Sequence, residues 1–125
     1  MTEKILHKQV CEYLRYQYPK VMFNSDLAGS MKLTIGQAVS LKSLRSNRGF
    51  PDIAIYEPRG KYHGPFIELK KDGEKLYKKD GITPFSDHIA EQQECMSELV
   101  IRGYDCYFCI GFNQAKITID NYLKQ

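Results

Sequence analysis

The sequence has no tryptophan, and none of its apolar runs approaches the roughly 20 residues that a membrane-spanning helix requires. The N-terminal residues MTEKILHKQV also lack the apolar stretch and the small-residue cleavage site of a secretory signal peptide. From these absences we expect neither an exported nor a membrane-spanning chain. We therefore expect a soluble, intracellular protein.

The charge balance is nearly even, with a net charge of +3, and 42% of the residues are hydrophobic. Such a composition argues against intrinsic disorder, because the apolar residues are numerous enough to form a core. With 125 residues there is no room for a second full core. We expect one domain that spans residues 1–125.

The four cysteines, Cys11, Cys95, Cys106 and Cys109, do not predict disulfides, because the sequence has no export signal. Cys106 and Cys109 form a CxxC motif, but the surrounding residues YDCYFCIGF are typical of a buried strand. Positions i and i+3 of a strand face opposite sides of the sheet, so these two sulfurs cannot share a metal ion. We expect buried structural thiols.

Hydrophobic periodicity predicts an α/β domain with a small central sheet. The first helix carries its apolar stripe on Leu6, Val10, Tyr13 and Leu14. The predicted elements are, in chain order, a helix ended by Pro19, a strand at 21–23, a weak helix at 37–45, strands at 52–56 and 65–70, a helix from 86 or 87 to 102 closed by Gly103, a strand at 104–110 and a helix capped by Asn113.

One segment is basic on balance, because no acidic residue occurs between Leu27 and Pro51. Its cations are Lys32, Lys42, Arg45 and Arg48, and the exposed, lysine-rich loop after residue 70 adds others such as Lys71. Clustered Lys and Arg side chains bind the phosphate backbone of nucleic acids without reading its sequence. We expect these residues to contact DNA.

The strongest candidate for chemistry is the pair of segments Pro51-Asp52 and Glu68-Leu69-Lys70. Glu68 and Lys70 occupy positions i and i+2 of a predicted strand, so both side chains face the same side, about 6–7 Å apart. A turn at 57–64 would pair this strand antiparallel with the preceding one, which begins at Asp52. We therefore expect Asp52, Glu68 and Lys70 to meet at one edge of the sheet.

The simplest alternative is a surface salt bridge of Lys70, which would stabilise the protein little. Against it, these charges interrupt apolar strands that are otherwise suited to burial, and buried charges need a partner or a metal ion. Two adjacent carboxylates repel each other, whereas Mg²⁺ prefers carboxylate oxygens as ligands. The pattern therefore favours a divalent-metal site.

Two further polar residues lie where a helix would carry apolar core residues. Glu3 continues the inward stripe of the first helix and is a candidate third acid, although an acid in a first turn also complements the helix dipole. Glu12 is the weaker alternative. Gln92 shares a face with Ile89 and Met96 and needs hydrogen-bond partners if buried, which Lys70 or a substrate phosphate could supply. Gln93 is its fallback.

These residues resemble the VRR-NUC family of the PD-(D/E)xK, restriction-endonuclease-like nuclease superfamily. The similarity extends over nearly the whole chain, is greatest to the short stand-alone members carried by phages and prophages, and includes the opening Glu3-x-x-Leu6-x-x-x-Val10. Its motifs are Gly49-Phe50-Pro51-Asp52-Ile53, Phe66-Ile67-Glu68-Leu69-Lys70, and Glu91-Gln92 with Leu99 and Gly103-Tyr104.

The resemblance implies a restriction-endonuclease-like core, in which helices flank a mixed four-stranded sheet. It implies that Asp52 and Glu68 bind Mg²⁺ or Mn²⁺ with help from the Leu69 backbone carbonyl. Lys70 would be the motif lysine, Gln92 the downstream helix glutamine, and Glu3 the acid of the N-terminal helix, also a metal ligand. A phage- or prophage-encoded protein of this kind would act in the bacterial cytoplasm.

The expected function is a metal-dependent DNA endonuclease that hydrolyses phosphodiesters in branched, flap or junction DNA during replication, repair or recombination. A homodimer would place two sites on opposite strands of a junction. The alternative is a basic nucleic-acid-binding module that retains the fold without activity. A zinc or HNH-type nuclease lacks support, because His7, His63 and His88 are isolated in the sequence and none has ligand spacing with a cysteine.

Overall fold

A computed structural model describes residues 2–26 and 32–125, so the first five residues of the basic segment, 27–31, lie outside the description. The chain forms four helices and four strands in the order α1 (Glu3–Gln17), β1 (Phe23–Ser25), α2 (Ile35–Ser43), β2 (Ile53–Ile55), β3 (Pro65–Lys70), α3 (Asp87–Ile101), β4 (Asp105–Ile110) and α4 (Gly111–Leu123).

The strands form one mixed sheet in the order β1-β2-β3-β4. β1 pairs antiparallel with β2, and β2 antiparallel with β3, as the turn at 57–64 predicted. β4 runs parallel to β3, because α3 carries the chain back across the sheet. This arrangement confirms the predicted α/β class with a small mixed sheet between helices.

One face of the sheet forms the apolar core with α1 and α4. β3 contributes Ile67 and Leu69 to this face, and β4 contributes Cys109. The helices cover them with a fully apolar set: Leu6, Val10 and Leu14 from α1, and Ala115, Ile119, Tyr122 and Leu123 from α4. The predicted stripe of α1 is therefore the side that packs on the sheet, with Tyr13 at its margin.

The other face of the sheet lies under α3 and is partly polar. The alternate residues of β3 on this side are Phe66, Glu68 and Lys70, and the last two are 5% and 4% exposed. α3 buries Ile89, Gln92, Cys95 and Met96. Two buried charges on a central strand are costly unless they are paired or neutralised. We therefore expect Glu68 and Lys70 to serve a purpose other than stability.

The helix ends follow local capping chemistry. Ser86 caps α3 by accepting a hydrogen bond from the Ile89 N–H, and Gly103 follows the helix with a φ of 97°, which confirms the predicted glycine at that position. α2 begins at Ile35, two residues earlier than predicted, because Thr34 and Gln37 form a capping box.

Several predicted boundaries are wrong. β1 lies at Phe23–Ser25 rather than 21–23, because the Val21 N–H still bonds to the Tyr18 carbonyl in the turn after Pro19. α4 begins at Gly111 and has no side-chain N-cap, so Asn113 is inside the helix rather than its cap. β2 and β4 are shorter than predicted and begin at Ile53 and Asp105.

Cys106 and Cys109 alternate across β4 as predicted, but the expectation of buried thiols is correct only for Cys95 and Cys109, because Cys11 and Cys106 are half-buried. Cys109 faces the α4 side, where its sulfur contacts the Thr118 hydroxyl at 3.5 Å. Cys106 faces α3, where the Cys95 thiol is close enough to contribute to the raised pKa of Cys106. The thiols thus lie on opposite faces of β4, and all four cysteines are free. Within the described part of the chain, no helix has both the length and the apolarity to cross a membrane.

A matched pair of isoleucines on α4 tests this assignment of the core. Ile119 is 1% exposed and Ile117 is 59% exposed. We expect Ile119→Ala to lower the free energy of unfolding by about 2–5 kcal/mol, because it removes buried methyl groups and leaves a cavity. Ile117→Ala should change it by no more than about 0.5 kcal/mol. Urea denaturation measures both, and equal losses would contradict the assignment.

Candidate active site

Asp52 lies at the edge of the sheet, immediately before β2. Its Oδ2 atom accepts a hydrogen bond from the Leu69 backbone N–H at 2.9 Å, which ties the start of β2 to the end of β3. The Asp52 carbonyl accepts a second bond from the Asp26 N–H beyond β1. Three successive strand segments therefore fix the backbone and carboxylate of Asp52.

His7 of α1 is the second partner of Asp52. Its Nε2 atom lies 3.5 Å from Asp52 Oδ2, and its Nδ1 atom lies 3.1 Å from the Ser25 hydroxyl. The ring is only 2% exposed. The expectation that His7 is isolated is wrong, because the helix directs it onto the strand ends. Its position next to Leu6 on the inward face of α1 is the sequence signal that could have revealed it.

Glu68 lies across from Asp52, because the antiparallel register pairs Ile53 with Ile67. Burial and the adjacent Asp52 carboxyl group, through its hydrogen bonding and its negative charge, hold the pKa of Glu68 far above its usual range. Burial alone would also raise the pKa of Asp52, but the hydrogen bonds from His7 and Glu68 lower it. Without a cation, the lowered pKa of Asp52 and the raised pKa of Glu68 favour a single negative charge on the pair.

Lys70 completes the predicted group of three. Its ammonium nitrogen lies 4.0 Å from Glu68 Oε2, so the structure brings Asp52, Glu68 and Lys70 together as the register argument predicted. The same nitrogen lies 3.7 Å from Oε2 of Glu74, a residue that sequence reasoning missed. That Glu74 oxygen is buried and has no hydrogen-bond partner. Glu74 follows β3 in a polar loop, where an acid carries no distinctive pattern.

The N-terminal acid candidates differ in position. Glu3 is half-buried in the first turn of α1, close enough for its negative charge to contribute to the raised pKa of Glu68. Glu12 is exposed and lines a groove with Cys11 and Arg15 further along the helix. The structure thus places Glu3 near the carboxylates, while its metal-binding role stays a prediction.

Gln92 is buried on α3, with 4% of its surface exposed. Its amide nitrogen lies 3.2 Å from His88 Nε2, so its partner is a histidine one turn earlier rather than Lys70. Its amide oxygen is buried and has no hydrogen-bond partner. Gln93 instead points outward and donates to the Tyr77 hydroxyl at 3.1 Å. Gln92 is therefore the better placed of the two to contact a ligand.

A close approach of two backbones explains the glycine before Pro51-Asp52. Gly49 adopts a φ of 77°, and a β-carbon there would lie 2.8 Å from the backbone nitrogen of Gln92. Only glycine fits this conformation and this contact without a shift. The segment that leads into Asp52 is thereby packed against α3 next to Gln92.

The donor chemistry of this cluster fits a hard divalent cation. Asp52 and Glu68 offer carboxylate oxygens in a buried place where, without a cation, one proton is needed to prevent repulsion. Across residues 2–26 and 32–125, no group of three or more His, Cys, Asp or Glu side chains is arranged to hold a metal ion. Two carboxylates suit Mg²⁺, which keeps several waters in its shell.

The predicted DNA contacts lie on the outside of α2 and the adjoining loops. Lys32, Lys42 and Lys71 are exposed, but Arg45 pairs with Asp26 and Arg48 lies 3.4 Å from Glu91. Lys42, Arg45 and Arg48 line one groove with His88 and Glu91 of α3. The structure therefore gathers these three cations beside the N-terminal end of α3, and places His63 near Gly103 at the far end of the sheet.

Comparisons with known proteins identify the fold. A solved structure described as a "VRR_NUC domain protein" superimposes with a TM-score of 0.71 at 24% identity, covering 99% of this chain and 89% of that one. A second, described as a "VRR_NUC domain", gives 0.45 at 22% identity over 92% and 95%. No protein-family model and no curated protein matches the chain. The chain has the fold of the first of these proteins.

The raised pKa of Glu68 predicts that the stability of the protein depends on pH, and that Glu68→Gln abolishes this dependence. Because the folded-state pKa of Glu68 is raised, its stabilising contribution is complete below the ordinary carboxyl pKa and is lost as the pH rises through the folded value. Gln cannot titrate. In EDTA, the unfolding free energy of the wild type should fall relative to the variant by up to about 1.4 kcal/mol per pH unit.

Urea denaturation between pH 6 and pH 9 measures this difference. Glu94→Gln is the matched control, because Glu94 is an exposed acid of α3. Its stability should run parallel to that of the wild type. A difference between wild type and Glu68→Gln that does not change with pH would show that Glu68 is ionised in the folded protein.

Proposed function

We propose that this chain is a VRR-NUC-type nuclease, a Mg²⁺- or Mn²⁺-dependent endonuclease that hydrolyses DNA phosphodiesters. The observation that carries the proposal is the placement of the Asp52 and Glu68 carboxyl groups side by side at the start of β2 and on β3, largely buried, with the Lys70 ammonium 4.0 Å from Glu68. The likeness of the whole chain to a "VRR_NUC domain protein" supports it. A site built only for stability would not place two acids together on strands that also form the core.

Asp52 and Glu68 would hold the cation, with the Leu69 carbonyl and Glu3 as further oxygen donors. A bound Mg²⁺ or Mn²⁺ lowers the pKa of water and polarises a phosphoryl oxygen. His7 and the Leu69 N–H keep Asp52 Oδ2 in place, so the carboxylate need not reorganise. Preorganisation of this kind is what makes a buried electrostatic site effective.

Lys70 would orient the attacking water or stabilise the negative charge that develops on the phosphate. Its ammonium lies between Glu68 and Glu74, which fixes its position beside the carboxyl groups of the site. Gln92 has a buried amide oxygen without a partner, which a substrate or a bound water could satisfy. Lys70 and Gln92 would therefore both act on the bound substrate.

The cations around the site would hold the DNA backbone. Lys42, Arg45 and Arg48 border the groove that reaches His88, and Lys32 and Lys71 add exposed positive charge. Such contacts position the phosphate chain without reading bases. Arg45 and Arg48 would exchange their acidic partners for phosphates when DNA binds, whereas the lysines need give up no ion pair seen among the described residues.

We propose branched, flap or junction DNA as the substrate, processed during replication, repair or recombination in the cytoplasm of a bacterial host. The basic surface supports this substrate, because it favours backbone and shape recognition over sequence recognition. A homodimer would place two sites on opposite strands of a junction, and sedimentation at working concentration would reveal it. A phage origin rests on the sequence resemblance alone.

Loss of either predicted catalytic group should abolish cleavage. We expect Asp52→Asn and Lys70→Gln to cut at least about 100-fold more slowly, the scale on which one preorganised electrostatic group acts. Both changes nearly conserve shape. Nicking of labelled single-stranded, duplex, flap and four-way DNA with Mg²⁺ or Mn²⁺ measures the rates, and Glu94→Gln serves as the control.

The outcomes separate the two functional hypotheses. If both variants remain folded and cut as fast as the wild type, the site is elsewhere. If the wild type binds junction DNA but does not cut any substrate with either cation, the chain is a non-catalytic binding module. Thermal unfolding of each variant shows whether a lost rate reflects lost structure.

The basic groove predicts a salt-dependent affinity. Lys42→Ala should reduce the slope of log affinity against log salt by about 0.9 for duplex DNA, because one phosphate contact is lost. Lys61→Ala is the matched control, because Lys61 is exposed in the turn between β2 and β3, at the opposite end of the sheet. Fluorescence anisotropy in EDTA measures both, and equal slopes for the two variants would remove Lys42 from the interface.

A further inference from the structure

The segment between β3 and α3 is an ordered hairpin rather than a featureless loop. Tyr77 and Pro84 form an isolated antiparallel bridge. The Lys78 N–H donates to the Thr83 carbonyl at 2.9 Å, and the Phe85 N–H donates to the Leu76 carbonyl at 2.8 Å. We call residues 76–85 the lysine hairpin.

The tip of the lysine hairpin is fixed by one acid. The Asp80 carboxylate accepts hydrogen bonds from the N–H groups of Ile82 and Thr83 and from the Thr83 hydroxyl. These bonds lower the pKa of Asp80. Gly81 supplies the positive φ of 71° that the turn needs. The hairpin therefore has a defined shape without help from the core.

The lysine hairpin presents two aromatic rings among lysines. A groove of about 590 Å³ is lined by Lys75, Tyr77, Lys78, Lys79 and Phe85. Phe85 is 50% exposed and Tyr77 is 37% exposed. In the part of the chain that the structure describes, the lining of this groove contains no acid. The two rings and the lysines around them therefore form one apolar and basic surface.

The Tyr77 ring has a fixed position. Its hydroxyl accepts a hydrogen bond from Gln93 Nε2 of α3 at 3.1 Å, which joins the hairpin to the helix that carries Gln92. Glu74, just before the hairpin, is paired with Lys70 and so does not neutralise the hairpin lysines. Of the ion pairs among the described residues, none involves Lys75, Lys78 or Lys79.

This groove continues into the candidate active site. The adjoining cavity shares Lys75 and Phe85 with it and is lined further on by Lys70, Glu74 and His88. His88 also borders the α2 groove on the opposite side. A nucleic acid strand could therefore pass from α2, over the N-terminal end of α3 and Lys70, to the lysine hairpin. The acids that line these three cavities, Glu91 and Glu74, are paired with Arg48 and Lys70.

The two sides of this path differ in chemistry. The α2 side carries Lys42, Arg45 and Arg48, which suit a phosphate backbone. The hairpin side adds flat apolar rings, which duplex DNA cannot use because its bases are stacked on one another. Unpaired bases can stack on such rings while lysines hold their phosphates, and this combination is typical of single-strand binding.

We propose that the lysine hairpin binds a single-stranded DNA arm, with bases stacked on Tyr77 and Phe85 and phosphates held by Lys75, Lys78 and Lys79. This inference deepens the proposed function, on which it rests for the chemistry at Lys70. It identifies the substrate class as duplex DNA with an unpaired arm that begins beside the site. The duplex part lies on the α2 side and the arm on the hairpin side.

Binding in EDTA tests the proposal without requiring cleavage. The probes are a fluorescent 20-base-pair duplex and the same duplex with a ten-nucleotide single-stranded arm on either the 5′ or the 3′ end. The wild type should bind one or both armed probes more tightly than the plain duplex. Phe85→Leu and Tyr77→Leu should each weaken armed-probe binding about five-fold or more, because stacking is lost.

Several controls make the result specific. Phe85→Tyr retains a ring and should restore arm binding, whereas Tyr16→Ala, an 87% exposed tyrosine on α1, should change no affinity. Plain duplex affinity should change less than two-fold in every ring variant, on the scale at which arm stacking is absent. Thermal unfolding of each variant confirms that the hairpin change leaves the domain folded.

The outcomes also separate this inference from the proposed function. Arm-dependent binding that the ring variants abolish supports the hairpin site even if no DNA is cut with Mg²⁺ or Mn²⁺. Cleavage that is intact while plain and armed probes bind equally overturns the hairpin site and leaves the nuclease proposal standing. Equal losses for both probes in the ring variants overturn it as well.

Discussion

The structure depends on one constraint: the carboxyl groups of Asp52 and Glu68 lie side by side in a largely buried place. Their repulsion must be removed by a proton or by a cation, because neither solvent nor a close arginine screens them. The neighbouring Lys70 compensates only in part, since it is also paired with Glu74. A fold that served stability alone would gain from apolar residues at both positions, so the arrangement indicates a site that is completed by something it binds.

The surrounding chain is arranged to hold this contact. The Leu69 N–H and the His7 Nε2 atom both contact Oδ2 of Asp52. The other ring nitrogen of His7 lies within hydrogen-bond distance of the Ser25 hydroxyl. The acid is therefore oriented from β3 and from α1 at once. On the opposite side, Gly49 packs directly on the backbone of Gln92, which brings the segment before Asp52 to α3. Orientation from several elements limits how far the carboxylate can move.

The sequence predicted the elements and the meeting of the three charged residues because these follow from local rules. Alternation on β3 places Glu68 and Lys70 on one side, and an antiparallel turn returns Asp52 to them. The partners were harder to predict. The contact of His7 with Asp52 joins distant parts of the chain and depends on how α1 packs, and Glu74 lies in irregular backbone after β3. His88 is one helical turn before Gln92 on α3, so helical periodicity could have revealed that pair.

Alternation along β3 also explains how one short strand serves both stability and chemistry. Ile67 and Leu69 face α1 and α4 and are fully buried in the apolar core, whereas Glu68 and Lys70 face α3. A slip of one residue would bury both charges in the core and expose both apolar side chains to the polar face, so the core itself enforces the register of the site. The apolar packing on one side of the sheet is therefore what holds the charged groups in place on the other.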